Sequence, residues 1–458
     1  MSYLSAQLEA VHGAMPFGVA GQVDSISGLT IEAIALPLPL GSRCRIHSLG
    51  GRSSVAEVIG FQGDKTLLMP LTAPVGVARG DRVENVEAAP RIWCSHQLLG
   101  RVLNGFGEPI DNQGPLLLSE SRRIDGRGVT PLDRVNIRKP IGTSVRSIDA
   151  LHTCGLGQRM GIFSGPGVGK STLMSSIAKH TSADVSIIAL IGERGREVQE
   201  FLHNSLGPDG MARCVVIVST SDDPALLRVR AAKVATTIAE YFRDQGLNVL
   251  LLMDSLTRLC QAQRQIGLAA REPPATKGFP PSVFALIPEL LERAGTTATG
   301  SITGFYTVLV EGDDFNEPIP DAVKGITDGH LWLSRSLANR GHFPAIDVLQ
   351  SISRVRGDVT DPDHVRMARR ILSLTAVYHE IEDMVNIGAY VAGTNAEFDL
   401  AVQSRPKIVQ FLQQEPTAPS TLEQSRKQLA ELTAWIEQMD KALKAQSAKA
   451  GARQPARV

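Results

Sequence analysis

The chain has 458 residues, of which 43% are hydrophobic and 21% charged. That balance fits a soluble globular protein of two to four domains with sizeable cores. Lys+Arg and Asp+Glu both total 47, so no general basic charge argues for nucleic acid or an anionic membrane as partner. The five cysteines, Cys44, Cys94, Cys154, Cys214 and Cys260, are scattered without a C-x-x-C pair. Such a set argues against a disulfide scaffold or zinc site and suits a reducing compartment.

The N-terminal "MSYLSAQLEAVHGAMPF" lacks a basic start followed by an unbroken apolar core, so no signal peptide is read there. "YLSAQLEAVHG" within it can form a short helix of about three turns. No apolar run approaches the roughly 20 residues needed to span a bilayer, and a cytoplasmic protein is expected. From about Gly18 to Val86 short, partly alternating segments such as "SRCRIHSL" and "KTLLMPL" are divided by Gly, Asp and Pro. They predict a small barrel or sandwich without a catalytic cluster. Leu98–Leu118, dense in Gly, Pro and Asn, is expected to connect this unit to the next.

From about Gly142 continuous apolar runs alternate with segments of helical spacing. "RMGIFSG", "VSIIALIGE", "CVVIVST", "VLLLMDS" and "ITGFYTVLVEG" flank stretches such as "STLMSSIAKH". That alternation predicts a parallel sheet covered on both faces, with ligands at the carboxyl ends of its strands. After about Thr360 the pattern is helical. The last helix opens with a possible capping box, Ser420 with Glu423, and carries apolar Leu422, Leu429, Leu432, Ile436 and Met439. Its tail "KALKAQSAKAGARQPARV" has no acidic residue and is expected to be frayed and solvated.

Polar residues fall at the ends of the apolar runs. "SGPGVGKST", Ser164 to Thr172, matches a phosphate-binding loop except that Ser164 stands where the pattern has glycine. Gly165, Pro166, Gly167, Val168 and Gly169 form a tight turn whose amides can cradle phosphate oxygens. Lys170 supplies charge to the β- and γ-phosphates, and the hydroxyls of Ser171 and Thr172 follow on a helix N-terminus that favours the same anion. The first position needs only a small residue, which serine satisfies; the alternative is a structural glycine turn. Asp254 ends one apolar strand and can hold a Mg²⁺ shell. Glu193 ends another and can polarise the attacking water, the alternative being a surface ion pair with Arg194 or Arg196. Arg354 and Arg356 in "SISRVRG" are, by composition, no more than surface arginines.

Five stretches together resemble the ATPases of flagellar and type III protein export, relatives of the catalytic subunit of rotary ATP synthases. They are "GQRMGIFSGPGVGKSTLM", "LIGERGREVQEF", "VLLLMDSLTRLCQAQR", "EPPATKGFPPSVFALIPELLERAG" and "GHFPAIDVLQSISRV", and the likeness runs from roughly Gly18 into the helical region. The resemblance implies an α/β fold: a central RecA-like P-loop ATPase domain with a parallel sheet, preceded by a small N-terminal β-barrel and followed by a C-terminal helical domain. The expected bounds are 1–17 for a short leading segment, 18–90 for the barrel, 91–365 for the ATPase domain, 366–440 for the helical domain and 441–458 for a basic, disordered tail.

It further implies ATP as substrate with Mg²⁺ held by Ser171 and Asp254, Glu193 as general base, and Arg194 and Arg258 as supporting arginines near the γ-phosphate. Arg354 resembles an arginine finger that completes the neighbouring subunit's site, which calls for a head-to-tail ring and hence a homohexamer. Phe343 sits where a tyrosine commonly stacks on adenine, and Phe411 is a second candidate for that pocket. Implied partners are a stator-like regulator, a central stalk protein, export chaperones and secreted substrates, at the cytoplasmic face of an inner-membrane export gate, with peripheral membrane association and no nucleic acid. Three alternatives are a rotary synthase subunit, a hexameric nucleic-acid translocase and a catalytically dead ring subunit. "IGAYVAGTNAEFDLAV" is less acidic than the synthase stretch it corresponds to, the barrel segment has only Phe61 as an aromatic, and Lys170, Glu193 and Arg354 occur together.

Overall fold

The computed structural model describes residues 18–48, 51–126, 128–310 and 317–451, with side chains described as far as 445. The short helix expected over Tyr3–Gly13 lies outside the described residues. Six antiparallel strands close a barrel in the order β1-β2-β5-β4-β3-β6. They are β1 (Ala20–Ser27), β2 (Thr30–Ile34), β3 (Arg43–His47), β4 (Ser53–Gln62), β5 (Lys65–Pro70) and β6 (Arg82–Glu87). Alternation decides which side chains point inward: in β3, Cys44 and Ile46 are buried while Arg45 and His47 face water. Closure leaves no unpaired sheet edge.

The second unit is built on one large sheet. Its main strands are β7 (Val102–Leu103), β8 (Arg159–Ser164), β9 (Val185–Glu193), β10 (Cys214–Thr220), β11 (Asn248–Asp254), β12 (Ser301–Leu309), β13 (Gly329–Leu333) and β14 (Ile346–Ser353), and the short Gly295–Thr296 strand pairs antiparallel with β12. The spatial order of the main strands is β14-β13-β8-β12-β11-β9-β10-β7, and all pairings in that order are parallel except that between β13 and β14. Successive residues of the central strands enter opposite cores. Ile187, Ala189, Val215, Leu251 and Met253 pack with α2 (Ala225–Asp244) and α3 (Leu256–Ala269). Ile188, Leu190, Val216, Leu250 and Leu252 pack with α1 (Lys170–His180) and the C-terminal helices. Burial on both faces is why these strands read as unbroken apolar runs.

Leu98–Leu118 is more than a connection. Arg101 donates to both carboxylate oxygens of Asp111 at 2.7 and 2.8 Å, and the Val102 amide donates to the same carboxylate at 2.9 Å. This folded loop delivers β7 to the sheet edge beside β10 and buries Leu103.

Three long helices follow: α4 (Pro362–Asn386), α5 (Ala396–Leu412) and α6 (Leu422–Gly451). Ile371, Leu374, Leu400, Ile408, Leu429, Leu432 and Ile436 bury against the α1 side of the sheet. Two expectations change here. The capping box of α6 is one residue later than Ser420 and Glu423: the Gln424 amide donates to Thr421 Oγ1 at 3.2 Å, and the Thr421 amide donates to Gln424 Oε1 at 2.8 Å. Ser420 instead accepts from Ser425 Oγ at 3.0 Å. The tail expected to be disordered from 441 continues α6 as far as Gly451. Ala, Lys and Gln are strong helix formers, and Lys444 pairs with Asp440 one turn back. No helix among the described residues is long and apolar enough to cross a membrane.

Candidate active site

The site lies at the carboxyl ends of β8, β9 and β11. Residues 165–169 leave β8 and turn into α1, with Gly167 at φ +77° and Gly169 at φ +88°. Those angles strain any side chain, so glycine at these two positions lets the backbone curl with its amides inward. Gly165 and Val168 are buried, Pro166 and Gly167 are exposed, and Ser171 and Thr172 are exposed on the first turn of α1. Ser164 is wholly buried in β8, between Leu309 of β12 and Leu333 of β13. A small side chain is what that position requires.

Lys170 Nζ contacts Asp254 Oδ1 at 2.5 Å, and Thr307 Oγ1 donates to the same oxygen at 2.6 Å. The register sets this convergence, because Asp254 ends β11 between β9 and β12, beside the loop that leaves β8. The Lys170 ammonium occupies the carboxylate's field where a cation would be expected. Ser171 and Asp254 fit Mg²⁺: both are oxygen donors, and the hydroxyl is open to solvent. Among the described residues no cluster of three or more His, Cys, Asp and Glu could hold a metal alone. Few protein ligands, with phosphates completing the shell, is the usual arrangement for Mg²⁺.

Glu193 ends β9 and is only 8% exposed. Burial first, and then the Asp254 charge, push its carboxyl up to about 7. Glu197, one turn along, raises it further, while Lys170 and Arg258 pull it down. The charge opposing it is not Arg194 or Arg196. Arg258 Nε stands 3.3 Å from Glu193 Oε1, and Arg258 Nη1 donates to the Gly192 carbonyl at 2.6 Å. Arg194 is exposed and pairs with Glu197 at 3.3 Å. Arg196 is exposed as well.

A cleft of about 570 Å³ adjoins the phosphate loop. It is lined by Val145, Gly169, Thr172, Leu173 and Ser176, by Phe343 and Pro344, and by Gln410 and residues 413–416. Phe343 is 44% exposed, and its ring edge lies 3.5 Å from where a Gly169 Cβ would sit. Phe411 does not line the cleft; it is buried, with the Arg146 guanidinium 5.5 Å over its ring.

Arg354 follows β14, is exposed, and donates its amide to the Asp328 carbonyl at 3.0 Å. Because β14 runs antiparallel, Ser353 pairs with Gly329 near the start of β8, at the sheet end opposite the phosphate loop. At about 3.3 Å per residue, four residues put it on the order of 13 Å along the strand from that loop.

Comparisons with known proteins decide the family. Residues 144–353 match the nucleotide-binding domain of the ATP synthase alpha/beta family, and residues 360–431 match the C-terminal domain of the type III secretion ATPase EscN. The flagellum-specific ATP synthase of Bacillus subtilis is 50% identical over 417 residues, 90% of this chain and 95% of that one. The type 3 secretion system ATPase of Xanthomonas euvesicatoria is 47% identical over 414 residues, 90% of this chain and 94% of its own. The chain belongs to the flagellar and type III export ATPase family.

This export ATPase also resembles solved structures. The assembled ATPase EscN from the enteropathogenic E. coli type III secretion system superposes with TM-score 0.85 at 44% identity, covering 90% of this chain and all of that one. EscN in complex with its central stalk EscO gives 0.84 at 43% identity. The site of this export ATPase contains two groups that the sequence reading left out. Thr307 follows Tyr306 inside an apolar strand, with nothing local to mark it as a partner of Asp254. Gln414 lies in "QFLQQEP", where three glutamines look alike.

Proposed function

We propose that this chain hydrolyses Mg-ATP in a homohexameric ring and uses the energy to prime protein export through a flagellar or type III apparatus. In this reading Lys170 and the amides of residues 165–169 hold the phosphates, and Phe343 stacks on the base. Ser171 and Asp254 hold Mg²⁺, which when bound neutralises charge on the transferring phosphoryl group. Glu193 orients the attacking water and takes its proton, a role suited to a carboxyl poised near neutrality. Arg258 and Arg194 flank the γ-phosphate side, and Arg354 reaches the neighbouring subunit's site.

The observation that carries this reading is the placement of Arg354. It stands exposed at the sheet end opposite its own phosphate loop, so a second copy is the site it can serve. A residue given in trans requires a head-to-tail contact, and such contacts close into rings. The reading extends to a stalk partner like the one bound by EscN, to a stator-like regulator, to chaperone release and unfolding of export substrates, and to work at the cytoplasmic face of the inner membrane.

Mixing two inactive variants tests the finger. Lys170→Ala and Arg354→Ala should each lose nearly all turnover. Mixed one to one and reassembled, they should recover about a quarter of wild-type activity, because a quarter of random interfaces pair an intact site with an intact finger. No recovery in rings shown to be mixed would remove Arg354 from the neighbour's site.

A further inference from the structure

The cleft beside the phosphate loop is assembled from three parts of the chain that are far apart in sequence. They are the first turns of α1, the Phe343–Pro344 corner after β13, and the end of α5 with the loop to α6. Nothing covalent holds these parts together, yet a planar base needs walls at a fixed spacing.

One residue, Gln414, links them, through its backbone on one side and its side chain on the other. The Gln414 backbone N–H donates to the Phe343 carbonyl at 2.9 Å. Its Oε1 accepts from the Arg146 N–H at 2.7 Å. Its Nε2 donates to the Ser144 carbonyl at 2.8 Å and to the Ala418 carbonyl at 2.9 Å. Ser144 in turn donates from Oγ to the Ser176 carbonyl of α1 at 3.4 Å, joining the network to the helix that begins with Lys170. Both protons of the carboxamide and its oxygen are therefore used, and none of them is turned toward the cleft. The neighbouring Gln410 and Gln413 also line the cleft, and both are exposed.

We propose that Gln414 is a positioning residue for the nucleotide base: it fastens the Phe343 side and the helical-domain side of the cleft to the phosphate-loop helix. It sets nucleotide affinity through the base while the phosphate half of the site stands without it. The proposal rests on the reading that the Phe343 cleft takes the base. It also makes the helical domain part of the nucleotide site, so that movement of α5 relative to α1 changes affinity.

The test uses the full chain and two probes, Mg-ADP and Mg-pyrophosphate, titrated calorimetrically. Gln414→Ala should weaken Mg-ADP about five- to tenfold, the scale of one or two net hydrogen bonds, and leave Mg-pyrophosphate unchanged. In turnover it should raise KM for ATP by more than it lowers kcat. Gln414→Met, of similar length but without polar atoms, should do the same and carries the test if the alanine variant does not fold. Phe343→Ala is the control for the underlying reading. If Phe343→Ala weakens Mg-ADP and neither Gln414 variant does, the fastening role is wrong and the base cleft stands. If Mg-ADP and Mg-pyrophosphate weaken in parallel, Gln414 supports the fold generally and the proposal fails. If neither position affects Mg-ADP, the base binds elsewhere and both readings fall.

Discussion

Glu193 gives the sharpest prediction, because its burial and its charged neighbours pull in opposite directions. An ordinary glutamate, near 4.5, is almost fully ionised at pH 6, so a base of that kind would give a flat profile from pH 6 to 8. Glu193 is held near 7 by burial and by Asp254. About a tenth is then ionised at pH 6 and about nine tenths at pH 8, so kcat/KM should rise roughly tenfold across that window. Arg258 lowers this value, so Arg258→Gln should move the midpoint upward as well as slow the reaction. Mg-ADP affinity measured over the same range separates binding from the proton-transfer step. The folded carboxyl ionises later than the unfolded one. Stability present below about pH 4.5 is therefore lost as pH rises towards 7, and Glu193→Gln should flatten that decline. A kcat/KM profile that is level between pH 6 and 8, with unchanged nucleotide affinity, would refute the assignment of Glu193 as a base tuned by its surroundings.

Two further outcomes follow from local geometry. Gly192 adopts φ +72°, and a Cβ there would lie 3.1 Å from the Arg258 Cβ and Cδ. Gly192→Ala should cost on the order of 1–3 kcal/mol in urea unfolding and displace Arg258 from Glu193, lowering turnover; unchanged stability and rate would contradict this. Arg293 is 2% exposed and donates to both oxygens of Glu240, at 2.8 and 2.6 Å, and to the Ile124 carbonyl at 2.9 Å. Arg293→Met strands the buried Glu240 carboxylate and should cost about 3–5 kcal/mol, with much of that recovered when Glu240→Gln is added. A neutral Arg293→Met would show that the pair is not holding α2 to the stretch of chain at Ile124.

Much of this architecture is legible in the residues because periodicity and short motifs are local. Unbroken apolar runs such as "VLLLMDS" reveal strands buried on both faces, and the polar residue closing each run marks the strand end where chemistry gathers. Gly167 and Gly169 are readable because the turn they permit is specific to glycine. What escapes is long-range partnering. Arg258 sits 65 positions from Glu193 and Arg146 sits 268 positions from Gln414, and no local spacing signals either meeting. The box at the start of α6 was misplaced by one residue because Ser420-x-x-Glu423 and Thr421-x-x-Gln424 both satisfy the pattern; only the backbone direction chooses between them. Leu98–Leu118 looked like a plain connection because Arg101–Asp111, which folds it against the sheet, lies within a run of turn-forming residues.

In the proposed ring each site is completed by a second copy of the chain. The most direct test is Mg²⁺-dependent ATP turnover per subunit across a wide range of protein concentration, with mass measured on the same samples. Specific activity should rise as rings form, and Arg354→Ala should abolish the rise while the rings persist. Constant specific activity in samples that remain monomeric would contradict it.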